Sequence, residues 1–308
     1  MKSIGVRTPA TVANLGSGFD LIGLAIAQTA DEIIVKPNDR KELSILEITG
    51  DDGKLPKAAE ENTCTVAIQS LLNAVSTVQG FDISIHKKVG FKSGLGSSAS
   101  SAVAGVVAVN ELLGSPFTKT ELIRFALDGE YVASRGYHAD NVAPCMLGGI
   151  TFVQSTQPLN VISLPFPQQM HLVVLYQPVS ISTAEARELL PKEYERKKVI
   201  QQTSNFGALI TGLFTQQNSM IKEGLNDLIA TPYRKQLIPH FDTLQQIAIH
   251  SGAIGFNISG SGPSVFAWCE SEIQANEVQT QWNNYMELNE ASFTIYSSTI
   301  NGIGAEII

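Results

Sequence analysis

The chain has 308 residues, of which 44% are hydrophobic and 16% are charged, so it can form one large domain or two ordinary domains with their own cores. This composition excludes a disordered or fibrous protein, and the net charge of −8 predicts no nucleic-acid partner. The longest apolar stretch, residues 102–109, is much shorter than the ~18 residues of a membrane span, so we expect no membrane association and a cytoplasmic location.

The first half of the chain is predicted to begin with strands and to continue with helices. Short runs rich in Ile, Val and Leu, bounded by turn residues, predict strands at Ser3–Thr8, Glu32–Lys36, Leu43–Ile48, Phe81–Lys87 and Gly148–Gln154. Apolar residues at helical spacing predict helices at Asn62–Ser76, Ser97–Leu113 and Lys119–Ser134. The residues of the second of these helices are small on most sides, which indicates close packing against its neighbours.

The second half is predicted to be a separate α+β domain. The segment Ser155–Gln169 is polar and contains three prolines, which favours a domain boundary, and we place it between residues 160 and 161. Residues 1–160 would then form a nucleotide-binding domain and residues 161–308 an α+β domain. Its predicted elements are a strand at His171–Tyr176, several helices between Ser182 and His250, strands at Gly255–Ile258 and Val265–Cys269, a helix at Glu272–Glu287 and a strand at Phe293–Ser297.

The cysteines and histidines show no metal-binding pattern. Cys64, Cys145 and Cys269 are widely spaced and odd in number, so we expect buried thiols, with a catalytic role for Cys145 as the less favoured alternative. The five histidines lack the spacing of a zinc site, and only His138 has chemically interesting neighbours.

The segment Gly90–Ser101, with the sequence GFKSGLGSSASS, is a candidate phosphate site because it joins a predicted strand to a predicted helix. Backbone N–H groups at a helix start carry a partial positive charge, and Gly94 and Gly96 allow an anion to approach closely. Ser97 or Ser98 could cap the helix instead. A Walker A loop is excluded because the required lysine is missing, and a dinucleotide-binding loop is disfavoured because another helix follows.

This loop resembles the nucleotide loop of the GHMP kinase superfamily, Pro-x-x-x-Gly-Leu-Gly-Ser-Ser-Ala, with Gly90 in place of the usual proline. Pro9–Asp20 resembles the N-terminal substrate motif of that superfamily, and Ser259–Ser264 resembles its C-terminal glycine-rich turn. The resemblance covers the whole chain. It implies a two-domain α/β (α+β) GHMP kinase fold, with an N-terminal ribosomal-protein-S5-like domain and a C-terminal ferredoxin-like domain.

The same resemblance implies ATP as the phosphate donor and Mg²⁺ as the metal. Ser98 and Glu130 correspond to the metal-binding residues, although Glu130 could also be a solvated helix charge. The implied nucleotide-binding residues are Asn62, Phe91, Lys92, Ser93, Gly94, Leu95, Gly96, Ser97, Ser98, Ala99, Ser100 and Ser101. Among them, Asn62 is almost as well explained as a helix cap.

Within the superfamily, the segments Tyr137–Cys145, Ser182–Arg187 and Pro232–Arg234 most resemble those of the homoserine kinases. That resemblance implies an ATP:L-homoserine O-phosphotransferase of threonine biosynthesis, and it implies a homodimer. The substrate is a small zwitterion with a hydroxyl group. The implied substrate-binding residues are Arg187 and Arg234 for the carboxylate, Asp20 for the ammonium group, Asn14, His138 and Asn141 for the hydroxyl, and Thr183.

The resemblance gives Asn141, rather than an aspartate, the place next to the reacting hydroxyl. An amide cannot usefully accept a proton, so we expect catalysis by alignment, with His138, Glu130 and Ser98 completing the catalytic set. Asp140 is the alternative base.

Simpler explanations exist for several of these residues and for the function. Arg187 could be a surface residue paired with Glu185 or Glu188, and His138 could be structural. The alternative functions are a GHMP kinase for another small alcohol, such as mevalonate or shikimate, and a non-catalytic nucleotide or ligand sensor. A dinucleotide-binding oxidoreductase is the least favoured.

Overall fold

Two β-sheets and their covering helices make up residues 2–308, the part of the chain that the computed structural model describes. The elements in chain order are β1 (Ile4–Ala13), β2 (Ile22–Asn38), β3 (Leu43–Thr49), α1 (Thr63–Ala74), β4 (Gly80–His86), α2 (Ser97–Leu112), α3 (Lys119–Ser134), α4 (Ala139–Leu147), β5 (Ile150–Thr156), β6 (Leu159–Leu164), β7 (His171–Tyr176), α5 (Thr183–Glu188), α6 (Arg196–Thr215), α7 (Asn218–Gly224), α8 (Thr231–Arg234), a 3₁₀ turn (Lys235–Leu237), α9 (Phe241–His250), β8 (Gly255–Ile258), β9 (Val265–Cys269), α10 (Glu272–Leu288), β10 (Thr294–Thr299) and β11 (Glu306–Ile307). Within these residues, every helix is too short or too polar to cross a lipid bilayer.

The first sheet has the strand order β11-β1-β2-β4-β3, and β5 and β6 extend it from the start of β2. Its pairings are antiparallel except for that between β3 and β4. The long strand β2 reaches three partners because it is 17 residues in length. The core between this sheet and helices α1–α4 is apolar and fully buried, with Phe81, Val103 and Ile123 among its members.

The second sheet has the order β10-β7-β9-β8 and is antiparallel throughout. One face packs on α9 and α10, where Phe256 meets Trp282. The other face shares a core with β1, β2, α6 and α7, in which Leu24 of the first sheet and Trp268 of the second are both fully buried. The two sheets are therefore joined by continuous apolar packing, and the cleft between them has a fixed shape.

The predicted elements are confirmed where the local pattern is strong. Lys119–Ser134 and His171–Tyr176 appear with the predicted bounds. The mixed α/β class is also confirmed, with one seven-stranded and one four-stranded sheet. The first two strands are much longer than predicted. In β2 the added part begins with residues 22–26, which are all buried and lack the alternation that marks a half-exposed strand.

The segment Ser155–Gln169 is not the bare linker that its prolines indicated. It contains β6, which pairs with β5, so the first sheet continues past residue 160. At the other end of the chain, β11 returns to pair with β1. The assignment of residues 1–160 and 161–308 to two domains stays a prediction.

Helix α4 was also missed by the sequence pattern. Pro144 lies inside it, and a proline in such a short apolar segment is more often the end of a helix. Its first turn carries Asp140, which favours the helix start electrostatically.

A buried ion pair connects the first sheet to the start of α2. Lys87, directly after β4, contacts Asp31 of β2, and both side chains are at most 3% exposed. The Lys87 ammonium also donates to the Ser97 carbonyl oxygen at 2.7 Å and to Ser101 Oγ at 2.9 Å. All three of its N–H donors are therefore used inside the protein.

Asp31 is equally well satisfied. Its carboxylate accepts hydrogen bonds from the backbone N–H groups of Lys88 at 2.7 Å and Val89 at 2.9 Å, and from Ser100 Oγ at 2.6 Å. Because each partner belongs to the end of β4 or to the first turn of α2, the pair fixes the geometry of the loop between them.

We expect Lys87→Met to lower the free energy of unfolding by about 3–5 kcal/mol, because Asp31 then lies buried without a counter-charge. Lys88→Met is the matched control, since Lys88 is 57% exposed and its pair with Glu32 should contribute about 0–1 kcal/mol. Urea unfolding of the two variants measures the difference. An equal decrease in the free energy of unfolding of the two variants would contradict this role of Lys87.

Candidate active site

A cavity of about 390 Å³ lies where the start of α2 faces α5, α8 and the turn after β8. Most of the residues predicted from the sequence line it, although they come from both halves of the chain. The predicted residues on its wall are Asn14, Asp20, Asn62, Phe91, Lys92, Ser93, Gly94, Gly96, Ser97, Ser98, Ser101, Glu130, His138, Asn141, Thr183, Arg187 and Arg234.

Three predicted nucleotide-binding residues do not line this cavity. The side chains of Leu95 and Ala99 lie in the apolar cores. Ser100 is fully buried, and its hydroxyl is bonded to Asp31 and to Thr8. These three side chains support the loop from the protein interior. The residues could therefore contact a nucleotide only through their backbone atoms.

The start of α2 is open to a ligand. Its N-cap is Gly96, and no side chain caps the first N–H groups, so neither Ser97 nor Ser98 acts as the expected cap. Ser97 Oγ instead donates to the Val89 carbonyl oxygen at 3.1 Å. Uncapped N–H groups at the start of a 16-residue helix, beside a cavity, favour a phosphate group.

Both glycines of the loop are required by close approach and by positive φ. Gly94 has φ +77, and a Cβ there would lie 2.7 Å from the carbonyl oxygens of Ser259 and Gly262. Gly96 has φ +67, and a Cβ there would lie 2.1 Å from Thr11 Oγ1. The loop is thus pressed between the N-terminal motif and the C-terminal glycine turn, so the three motifs meet in one place.

Arg234 is a buried cation without a carboxylate partner. It is 3% exposed, its Nε donates to the Ala186 carbonyl oxygen at 3.1 Å, and its Nη1 donates to the Gly260 carbonyl oxygen at 3.2 Å. Among residues 2–308 it forms no ion pair. Burial lowers the pKa of Arg234. A guanidinium held in this way is prepared for an anionic ligand.

Arg187 is paired with Asp20, and not with Glu185 or Glu188 as the simpler explanation held. The two contacts are both 2.9 Å, from Nη2 to Oδ1 and from Nη1 to Oδ2. Glu185 instead completes the capping box of α5 with Ser182.

His138 is held in one tautomer. Arg187 Nη2 lies 3.1 Å from His138 Nε2, and an arginine can only donate, so Nε2 accepts. His138 Nδ1 therefore carries the proton and donates to Ser134 Oγ at 3.0 Å. Burial lowers the pKa of His138, which agrees with a neutral ring.

Phe19 belongs to the site and was not predicted. The guanidinium carbons of Arg187 and Arg234 lie 5.5 Å and 4.9 Å from the centre of its ring, so both cations contact one aromatic side chain. The sequence feature that could have identified Phe19 is its position next to Asp20 in the N-terminal motif. Without that motif, a phenylalanine between a glycine and an aspartate is taken as a core residue.

Glu130 is a buried carboxylate with one free oxygen, and not a solvated helix charge. It is 5% exposed, and Oε2 has no hydrogen-bond partner among the described residues. Burial raises its pKa to about 7, against the opposing effect of the Ser98 and Ser134 hydroxyls. An orphaned buried carboxylate oxygen near a hydroxyl fits a hard cation such as Mg²⁺.

No larger metal cluster competes with this pair. Among residues 2–308, no group of three or more His, Cys, Asp or Glu side chains is arranged to hold a metal. Mg²⁺ commonly takes only one or two protein ligands, and phosphates and water supply the rest. The donor set of Glu130 and Ser98 therefore suits a metal that arrives with a nucleotide.

Asp140 and Asn141 differ sharply in their surroundings. Asp140 is 3% exposed, Oδ1 has no partner among residues 2–308, and burial, with the charges of Asp20 and Glu130, raises its pKa to about 8. Asn141 Oδ1 accepts from Thr11 Oγ1 at 2.8 Å, which leaves its NH₂ group for the cavity.

Two further expectations concern Asn62 and the thiols. Asn62 caps α1, with Oδ1 accepting from the Cys64 N–H at 3.0 Å and Nδ2 donating to the Pro56 carbonyl oxygen at 2.8 Å, so the helix-cap explanation is confirmed. The three cysteines are buried and free, as expected. Burial raises the pKa of Cys145, which argues against a catalytic thiolate.

The comparisons with known proteins agree with this geometry. The family model for the GHMP kinases N terminal domain matches residues 62–149, and that for the GHMP kinases C terminal matches residues 204–288. A homoserine kinase of Chlorobium phaeobacteroides is 38% identical over 100% of both chains, and one of Chlorobaculum tepidum is 37% identical over 100% of this chain and 99% of its own. The chain belongs to the homoserine kinase family.

Solved structures show the same fold. The crystal structure of homoserine kinase from Cytophaga hutchinsonii superimposes with a TM-score of 0.97 at 40% identity, covering 100% of this chain and 98% of that one. A mevalonate kinase of L. major has a TM-score of 0.75 at 19% identity, covering 96% and 95%, which shows the shared fold alone.

We expect Asp140→Asn to change stability in a pH-dependent way. The pKa of Asp140 is raised from 3.8 to about 8, so the folded protein retains a proton that the unfolded chain releases between these values. Asp140 therefore lowers the free energy of unfolding of the wild type as the pH rises from about 5 to 8, and Asp140→Asn lacks this decrease. Urea unfolding should show that the free energy of unfolding of the variant, relative to that of the wild type, is higher near pH 8.5 than near pH 5.5. An equal difference at both pH values would contradict the raised pKa.

Proposed function

We propose that the chain transfers the γ-phosphoryl group of ATP to the hydroxyl of L-homoserine, giving O-phospho-L-homoserine and ADP in threonine biosynthesis. The observation that carries this proposal is a buried, unpaired Arg234 in the same cavity as the uncapped start of α2. The guanidinium of Arg234 suits a carboxylate, and the N–H groups at the start of α2 suit phosphates. The full-length similarity to homoserine kinases supports the choice of substrate.

The nucleotide would place its phosphates at the start of α2. The free N–H groups there and the close backbone approach at Gly94 and Gly96 favour a polyphosphate. Lys92 is an additional cation on the same wall, with its Nζ 5.6 Å from the centre of the Phe91 ring. The adenine would then extend toward Asn62, which lines the same cavity.

The amino acid would lie between α5 and the glycine turn. Arg234 and Arg187 would hold the carboxylate, Asp20 the ammonium group, and Thr183 would line the same wall. Asn14 links two parts of this site. Its Nδ2 donates to the Gly260 carbonyl oxygen at 2.8 Å, and its Oδ1 accepts from the Asp20 N–H at 3.0 Å.

Glu130 and Ser98 would hold Mg²⁺. When bound, the metal supplies positive charge to the phosphate oxygens, on which negative charge accumulates during phosphoryl transfer. The protein contributes a buried carboxylate, one oxygen of which is used by no other described group.

The reaction would proceed without a protein base. Asn141 can donate its NH₂ group to the substrate hydroxyl, since Thr11 occupies its oxygen. Burial and the charges of Asp20 and Glu130 raise the pKa of Asp140 to about 8, which favours its protonated form at pH 7 and makes it a poor acceptor for the hydroxyl proton. In a loose transition state the hydroxyl needs alignment with the γ-phosphate more than deprotonation, so the proton can leave to phosphate or water. A cytoplasmic homodimer is part of the same proposal.

The proposal predicts ADP formation that depends on L-homoserine and not on mevalonate, shikimate or galactose. In Arg234→Met we expect the KM for homoserine to rise about 100-fold, because a charge-assisted contact of about 2–3 kcal/mol is lost, while the KM for ATP stays unchanged. Lys235→Met is the control, since the neighbouring Lys235 is exposed and paired with Asp242. Turnover of another alcohol, or none at all, would reject the substrate assignment.

The metal assignment is tested with Glu130→Gln. We expect the Mg²⁺ concentration for half-maximal activity to rise about tenfold or more, because the amide is a weaker ligand than the carboxylate. Binding of Mn²⁺ to the ADP complex, followed by electron paramagnetic resonance, should weaken in parallel. Asp128→Asn, two residues earlier in α3 and bonded to Ser70, is the control. Unchanged Mn²⁺ binding in Glu130→Gln would remove this residue from the metal site.

A further inference from the structure

Two groups that the proposed function assigns to opposite ends of the substrate are bound to each other in this structure. Arg187 would receive the carboxylate and Asp20 the ammonium group, yet they form a bidentate pair with both contacts at 2.9 Å. The remaining contact of the Arg187 Nη2 is to His138 Nε2, at 3.1 Å. The edge of the guanidinium that could bind a carboxylate is therefore already occupied.

The pair must open before a carboxylate can use both terminal nitrogens of Arg187. Asp20 is the fixed partner, because its backbone N–H is bonded to Asn14 Oδ1 at 3.0 Å. Arg187 lies on the six-residue helix α5, and its long side chain is 44% exposed, against 37% for Asp20, so we expect Arg187 to be the partner that moves. Opening would then separate the guanidinium from Asp20.

Each member of the pair loses its bidentate partner when the pair opens. An unpaired Asp20 keeps the attraction of Arg234, whose pKa it raises, but loses both 2.9 Å contacts with Arg187. An unpaired Arg187 lies near the cation Arg234, whose pKa it lowers, and both guanidinium groups contact the ring of Phe19. A ligand with only one charge therefore opens the pair and leaves one member without its bidentate partner.

We propose that the Asp20–Arg187 pair makes binding of the ligand's carboxylate and ammonium groups mutually dependent. A zwitterion replaces both partners at once, whereas a hydroxy acid or an amino alcohol replaces only one. The pair thereby selects hydroxylated α-amino acids over ligands that carry a single charge. This inference rests on the proposed function, because that function assigns each residue to its end of the substrate.

Mutual dependence differs measurably from two independent binding positions. If the positions were independent, Asp20→Asn would weaken only ligands that carry an amino group. If the pair has to be opened, the same variant frees Arg187 and strengthens binding of a ligand that lacks the amino group. Whether Asp20→Asn strengthens binding of the ligand without an amino group therefore distinguishes mutual dependence from independent binding.

The experiment is isothermal titration of the full chain with L-homoserine, with 4-hydroxybutanoate, which lacks the amino group, and with 3-aminopropan-1-ol, which lacks the carboxylate. In Asp20→Asn we expect L-homoserine to bind at least about tenfold more weakly and 4-hydroxybutanoate at least about tenfold more tightly than in wild type. Glu188→Gln is the matched control, because it removes an exposed carboxylate next to Arg187 and should leave all three affinities within about twofold.

Unchanged or weaker binding of 4-hydroxybutanoate to Asp20→Asn would overturn the inference. A second measurement needs no variant: methylammonium should tighten binding of 4-hydroxybutanoate to the wild type, and no such effect would also overturn it. Turnover of L-homoserine is measured on the same preparation. Coupled binding without turnover would reject the proposed function and keep the inference, whereas turnover without coupling would do the reverse. No binding of L-homoserine would reject both.

Discussion

The buried ion pair of Asp31 and Lys87 is the contact on which the geometry of the site depends. Two opposite charges that are almost completely removed from water are tolerated only when every donor and acceptor is satisfied. The partners that satisfy them are the end of β4 and the first turn of α2. The loop between these elements therefore has one allowed path. Because Ser97 is bonded to the Val89 carbonyl oxygen, and Ser100 and Ser101 to the ion pair, none of the three caps the N–H groups at the start of α2.

The wall of the cavity contains several charged groups that have an unpaired atom or no ion pair among the described residues, and the proposed reaction places ligands next to two of them, Arg234 and Glu130. Arg234 has no ion pair, while Glu130 and Asp140 each have a free carboxylate oxygen among the described residues. Elsewhere in the chain, buried charges such as Asp31 are fully bonded, which is the usual state of a protein interior. The contrast within one structure is a physical reason to place the ligands here.

The position of the cavity follows from the shared core between the two sheets. Gly94 packs directly against the carbonyl oxygens of Ser259 and Gly262, so the phosphate loop and the glycine turn meet without an intervening side chain. Ser259 Oγ also donates to the Gly94 carbonyl oxygen at 2.7 Å. The cavity wall combines Asp20, which lies in the turn between β1 and β2, with Arg187 and Arg234 from the helices of the second half. Neither half of the chain contains the complete site.

The sequence alone determined the elements and motifs whose cause is local. Helix α3 has a capping box and a helical apolar pattern, so neighbouring residues suffice to predict it. Most predicted site residues also lie on the cavity wall, and the resemblance of short motifs to those of the GHMP kinases supplied them.

Only the tertiary structure decided which charges meet. The Asp20–Arg187 contact joins residues 167 positions apart, and Phe19 acquires its role only because two distant arginines reach its ring. In the same way, β6 exists because β5 offers it an edge, despite the prolines around it. The free energy of a buried charge depends on the groups packed around it. These groups come from segments that are distant in the sequence, so no local pattern predicts that they meet.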